Sequence, residues 1–224
     1  MPELPEVQTV VSQLDRKISG RQIVSVWSDW QKKILTPFAQ FSTGVKGATV
    51  LGVRRLGKHI VIDLDNGHCI VAHLKMTGHF LVKDDTNRQS DPFVKDRING
   101  YIHHIITFAD GTTLEFSDMR KFGWLRLIST EEVEKHKSIA ELGVDALARA
   151  LTASVFQELL MRRKHRTVGE VLLEQNLIAG IGNIYRSEAL YLAGILPLRK
   201  IETLKPGEWK KLLPAIKKVL RHAV

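Results

Sequence analysis

The chain has 224 residues, 44% hydrophobic and 25% charged, which is enough to bury a core without staples. Its one cysteine, Cys69, excludes an intramolecular disulfide framework and a multi-cysteine zinc site, and no apolar run reaches the ~18–20 residues of a membrane span. Lys and Arg number 33 against 24 Asp and Glu, a net +9 that is the usual footprint of a nucleic-acid binder. A merely soluble basic protein and a binder of anionic membrane surfaces are the rival readings. No apolar leader opens the chain, so a reducing cytoplasm is expected.

The chain opens Met1-Pro2-Glu3-Leu4-Pro5-Glu6. Removal of Met1 leaves Pro2 with a free secondary amine. An α-amine titrates near ~7.7–8.0 against ~10.4 for a lysine, so at neutral pH a fraction is unprotonated and can attack a carbonyl carbon. A secondary amine gives a cationic iminium, an electron sink for a following elimination. Glu3 stands within reach of whatever the amine attacks. The same residues also read as a capped helix start, with Pro in the first turn and acids near the positive helix end. Leu4, Val7, Val10, Val11, Leu14 and Ile18 recur at helical spacing and predict an amphipathic helix over 4–18.

From Gln22 to about Ile128 the texture is that of short strands: IVSVW, ATVLGV, HIVIDLD, HCIVAHL, HFLV, YIHHIITF, TTLEF and WLRLI. Turn signals at Asp65–Gly67, Ala109–Gly111 and Gly47 separate them. Eight short strands and one helix predict a β-sandwich. The polar stretch from Lys83 to Gly100 is read as an exposed loop. After Ser129 helical patterns take over, at about 131–136, 145–150, 152–163, 167–174, 183–193 and 206–222. The fold class is therefore α+β. An N-terminal sandwich with a packed helix spans 1–130, a linker 131–145, and a helical domain 146–224.

The helical half carries the turn Ala179-Gly-Ile-Gly-Asn183, with Asn183 placed as the N-cap of the next helix. Glycines beside a helix N-terminus let amides approach an anion, and a phosphate is the expected anion in a basic chain. The basic run Arg162-Arg163-Lys164-His165-Arg166 supports that reading, against an ordinary helix–turn–helix corner. In the last helix Lys210, Lys211, Lys217, Lys218 and Arg221 make a solvated, DNA-facing or membrane-facing surface, and Pro214 is expected to kink it.

PELPEV, Arg55-Leu-Gly-Lys58-His-Ile, His73-Leu-Lys-Met76-Thr-Gly78, Asp118-Met-Arg120-Lys-Phe122-Gly123, Leu142-Gly143 with Ala146-Leu147, and the GIGNIY turn occur in one order along the chain. Together they resemble the formamidopyrimidine-DNA glycosylase family, bacterial base-excision enzymes that remove oxidised purines. The resemblance implies a bifunctional DNA glycosylase and abasic-site lyase. Its helical domain would be of helix–two-turn–helix type. Pro2 would attack the sugar C1′, Glu3 would move protons, and Glu6 would orient the N-terminal segment. Lys58 and Asn183 would contact phosphates beside the lesion, and His73 the DNA backbone. Met76, Arg120 and Phe122 would fill the gap left by the flipped nucleotide, Arg120 reading the orphaned partner base.

The partner so implied is damaged double-stranded DNA, bound by a monomer in the bacterial cytoplasm with the nucleoid, and not a membrane. The reaction needs no metal or redox cofactor. The family's zinc is not expected, because its cysteine ligands have no counterpart here; the sequence stops at Val224, before the loop and finger that the family carries, as a natural variant or a shortened chain. Gly169 stands where the family has a lysine, and Glu174-Gln175 replaces Asp-Gln. These departures motivate the alternative of a non-catalytic or weakened damaged-DNA-binding protein on the same scaffold. An RNA- or ribosome-associated protein is a third reading.

Overall fold

The chain's opening helix, α1 (Leu4–Ile18), forms where the apolar spacing predicts it: Leu4, Val7, Val11, Leu14 and Ile18 are all buried. Pro5 falls in its first turn, where a missing N–H costs no hydrogen bond. The structure, a computed structural model, describes residues 1–87 and 91–224. It divides into two units, one of residues 1–2 and 9–134, the other of residues 3–8 and 135–224. The division thus falls after Glu134, and Glu3–Gln8 is grouped with the helical unit, not with the sandwich in which the sequence placed it.

The first unit is built from eight strands, one for each run read from the sequence. They are β1 (Ile23–Ser28), β2 (Val50–Leu56), β3 (His59–Leu64), β4 (His68–His73), β5 (His79–Lys83), β6 (Ile102–Phe108), β7 (Thr113–Ser117) and β8 (Trp124–Ser129). They form two four-stranded antiparallel sheets, ordered β1-β6-β7-β5 and β2-β3-β4-β8. Ile60, Ile62, Ile70, Leu114 and Phe116 lie in the core, on strands buried along most of their length. Two crossings between the sheets matter most. The β4–β5 connection, residues 74–78, and the β7–β8 connection, residues 118–123, lie at one end of the sandwich, because His73 pairs with Trp124 and His79 with Ser117.

Between β1 and β2 the chain adds a helix the sequence reading missed, α2 (Phe38–Val45), with Phe41 and Val45 buried. Of the stretch read as a loop from Lys83 to Gly100, residues 88–90 lie outside the described residues. After them come a helical turn, α3 (Pro92–Lys95), and a 3-10 turn at Arg97–Gly100.

The second unit holds α4 (Lys137–Ala140), β9 (Val144–Asp145), α5 (Ala153–Met161), α6 (Val168–Val171), β10 (Ile178–Ala179), α7 (Asn183–Ala193) and α8 (Pro206–His222). The expected helices at 131–136 and 145–150 are absent. The first is a run of turns before α4, and the second is the two-residue strand β9, paired parallel with β10, followed by turns. Leu4, Phe156, Leu160, Leu190, Leu212 and Ile216 share the core of this unit. A capping box opens α6, with Thr167 and Glu170 exchanging hydrogen bonds. The helix α8 continues through Pro214, which lies on its exposed side. Lys217 is not a purely solvated cation, since its Nζ donates to the Leu151 carbonyl at 2.8 Å. Among the described residues no helix is long and apolar enough to cross a membrane.

Candidate active site and nucleic-acid interface

Glu3 is the residue before α1, and its backbone N–H donates to Glu6 Oε2 at 2.8 Å, the N3 residue reaching back over the helix start. Its side chain does not cap its own helix. The carboxylate is 3% exposed and accepts from Gly182 N–H at 2.9 Å, Ile184 N–H at 2.9 Å and Tyr185 N–H at 3.2 Å. These are donors that the first turn of α7 leaves without intrahelical partners. Glu3 is therefore a borrowed N-cap, supplied from 179 residues away.

The glycine turn is explained by this guest. Gly182, not Asn183, occupies the N-cap position, and any Cβ there would strike the Glu3 carboxyl group. Gly180 has a left-handed φ of +107° and its carbonyl accepts the Leu4 N–H at 3.0 Å. Gln175 staples the turn: its Nε2 donates to the Ile181 carbonyl at 2.8 Å and its Oε1 accepts from Gly180 N–H at 3.0 Å. The expectation that a phosphate fills this helix N-terminus is thereby corrected. Those amides are occupied by a carboxylate of the chain itself. Asn183, the first helical residue, is exposed beside them.

Glu6 joins the set from the exposed side. Its Oε1 accepts the Tyr185 hydroxyl at 2.5 Å, and burial, followed by the hydrogen bond and charge of Glu6, pushes that phenol above its ordinary range. It stays a donor at any physiological pH. Tyr185 was missed at the sequence level, although GIGNIY contains it. Pro2, directly before Glu3, is partly buried, and its amine exists only in a chain that has lost Met1.

The basic run beside the turn is partly paired within the protein, with Arg163 and Arg166 sharing one carboxylate. Arg162 pairs with Glu158 at 2.8 Å, Arg163 and Arg166 with Glu174 at 3.1 and 2.5 Å, and His165 with Glu202 at 2.9 Å. Its expected support for phosphate binding is reduced accordingly. Gly169 is buried and donates to the Pro197 carbonyl at 2.9 Å. A Cβ at Gly169 would lie 2.9 Å from that oxygen, so a longer side chain requires the backbone to move.

In the sandwich unit, Lys58 follows left-handed Gly57 in the tight turn joining β2 to β3 and is buried. His73, read as a DNA-backbone contact, is nearly buried. Its ring is 8% exposed, edge-on to His59 with centroids 4.9 Å apart, and its Nδ1 accepts the Lys75 N–H at 3.0 Å. Burial first, then the charges of His59, Lys75 and Lys58, lower its pKa to about 3. Its Nδ1 braces the loop after β4.

Met76, Arg120 and Phe122 are brought together, as the two crossing loops require. Met76 and Phe122 are 50% and 46% exposed. The Arg120 guanidinium lies 4.9 Å from the Phe122 ring centroid, and its Nη1 lies 3.1 Å from Met76 Sδ. Cys69, the lone thiol, is fully buried on β4, and desolvation raises its pKa to about 11, so it does not fit a zinc thiolate. Among the described residues no three His, Cys, Asp or Glu side chains are grouped as metal ligands.

With this geometry in hand, comparison with known proteins is specific. Residues 1–125 match the formamidopyrimidine-DNA glycosylase N-terminal domain and residues 142–224 the formamidopyrimidine-DNA glycosylase H2TH domain. The chain is 36% identical over 225 residues to the formamidopyrimidine-DNA glycosylase of Pelotomaculum thermopropionicum, covering all of this chain and 78% of that protein. It is 35% identical to that of Enterococcus faecalis, covering 76% of it. Among solved structures, the Lactococcus lactis protein in complex with DNA containing an abasic site matches with a TM-score of 0.86 at 30% identity, over 99% of this chain and 78% of that one. The same protein with FAPY-dG-containing DNA matches at 0.87 and 30%, over 99% and 79%.

Proposed function

The chain belongs to the formamidopyrimidine-DNA glycosylase family, and from that premise we propose that it excises oxidised purines, 8-oxoguanine and formamidopyrimidines, from damaged duplex DNA and then cuts the strand. The observation that carries the chemistry is the Glu3 carboxylate, fixed by three amides of α7 in the residue next to Pro2. In a chain that has lost Met1, the Pro2 amine attacks the sugar C1′ of a flipped nucleotide, and the C1′–N bond to the damaged base breaks. Sugar ring opening leaves an iminium whose neighbouring C2′ proton is acidified. Its removal expels the 3′ phosphate, and a second elimination expels the 5′ phosphate. Glu3 takes and returns protons along this path. The reaction needs only an amine and a carboxylate, with no metal or redox cofactor.

Glu6 holds the backbone of Glu3. Lys58 and Asn183 contact phosphates beside the lesion. His73 supports the loop that bears Met76. Met76 and Phe122 fill the vacated stack, and Arg120 hydrogen-bonds the orphaned base, preferably cytosine. The net charge of +9 draws the protein to the duplex. A bacterial, nucleoid-associated location is part of the same reading.

The test combines intact-mass analysis with borohydride trapping on DNA carrying an abasic site or 8-oxoguanine. Protein whose mass shows loss of Met1 is expected to form a reduced covalent adduct through its N-terminus, and protein retaining Met1 to form none. A free Pro2 that yields no adduct and no strand cleavage sinks the proposal.

A further inference from the structure

Asp118 is the first residue of the β7–β8 connection and is 1% exposed. It has no role among the residues assigned above, yet it is a buried carboxylate, and burying one is costly unless donors surround it. Here they do. Its Oδ2 accepts from Gly123 N–H at 2.7 Å, and its Oδ1 from Arg120 N–H at 3.2 Å and from the Thr77 hydroxyl in a short hydrogen bond. Thr77 belongs to the other crossing loop and its Oγ1 also lies 3.2 Å from the Arg120 N–H. One carboxylate therefore fixes the start and end of its own loop and ties that loop to its neighbour.

Both loops store backbone strain at the tip. Lys75 and Lys121 have left-handed φ values of +54° and +57°, which non-glycine residues adopt only when the surroundings impose them. Just beyond each of these positions or just before it stand the exposed Met76, Phe122 and Arg120. Arg120 lies against both Phe122 and Met76.

We propose that Asp118, acting through Thr77, is a positioning residue that locks the two sandwich crossings together so that Met76, Arg120 and Phe122 enter the duplex as one preassembled wedge. This rests on the reading of those three side chains as inserting residues. Without the lock each side chain must be ordered separately on insertion, and that entropy is lost in the step that opens the base stack. Chemistry at a sugar that needs no opening is spared that cost.

The experiment compares two single-turnover rates. One is excision of 8-oxoguanine from fully paired duplex. The other is cleavage at an abasic site facing a one-nucleotide gap, where no partner base has to be displaced. Thr77→Val keeps the shape and removes the hydroxyl, and it is expected to lower the ratio of the first rate to the second about tenfold. Thr77→Ser is expected to restore it. Asp118→Asn, which turns an amide N–H toward donors, is expected to lower the ratio at least as far. If it does not fold, the Thr77 pair carries the test. Equal loss on both substrates shows a merely structural role and overturns the proposal. Arg120→Ala and Phe122→Ala calibrate it. If they lower the ratio and Thr77→Val does not, the lock is overturned while the wedge stands. If they leave the ratio at its wild-type value, the wedge reading itself fails and the lock with it.

Discussion

Glu3 sits at two helix starts, its backbone opening α1 and its carboxylate closing the N-terminus of α7. An amide in its place presents N–H groups to N–H groups. Glu3→Gln is therefore expected to cost about 1–3 kcal/mol of stability and, through the proton-transfer role proposed for it, roughly 10²–10⁴ in rate. Chemical denaturation and single-turnover kinetics measure the two losses separately. Tyr185→Phe removes one hydrogen bond from Glu6 and leaves the amide cage around Glu3 intact. It is expected to cost about 1 kcal/mol and far less activity than Glu3→Gln. A Tyr185→Phe variant as slow as Glu3→Gln would show instead that the hydroxyl takes part in the chemistry.

At the scale of elements, the glycine turn before α7 is a seat for a carboxylate. Gly182→Ala places a methyl group where the Glu3 carboxyl lies, while the rest of the turn keeps its Gln175 staple. The expected variant is folded by circular dichroism and slowed as severely as Glu3→Gln. Normal excision by folded Gly182→Ala protein would refute the seat. The eight strands were legible because each alternates or runs apolar between turn signals, and α1, α5, α7 and α8 because their apolar spacing persists over two turns or more. The charged stretch at 131–136 was misread because its one apolar residue, Val133, sets no helical periodicity, and it forms turns before α4. Its neighbour β9 gains its pairing from β10, which no local signal reveals. In the same way the motifs exposed Pro2, Glu3 and the loop-tip trio, but not what holds them. The Glu3 cage, the Glu6–Tyr185 bond and the Asp118–Thr77 bond join residues between 41 and 182 positions apart. Local pattern carries no information at that range. For the glycine turn it suggested the right physics, an anion at a helix end, and the wrong anion.

For the whole molecule, two buried histidines are expected to weaken the fold in acid. Burial, and then the neighbouring His59, lowers His73 to about 3, while burial, and then His103, lowers His104 to about 4. Both are neutral in the fold and in the unfolded chain above about 6.5, so neither affects stability there. Below that value the unfolded chain takes up protons that the fold refuses. Stability is therefore expected to fall as pH drops from about 6.5 toward 4, by at most about 1.4 kcal/mol per pH unit for each histidine. Denaturation midpoints between pH 7.5 and 5 measure the slope, and His104→Asn should flatten it. An unchanged slope in that variant would assign the loss in acid elsewhere.

The borrowed cap has a further consequence during synthesis. Glu3 leaves the ribosome early, and its seat at Gly182–Tyr185 begins 179 residues later. Until that 179-residue loop closes, the N-terminal strand of the chemistry has no fixed carboxylate. On the proposed mechanism, a nascent chain is expected to lack a fixed Glu3 until the start of α7 has folded.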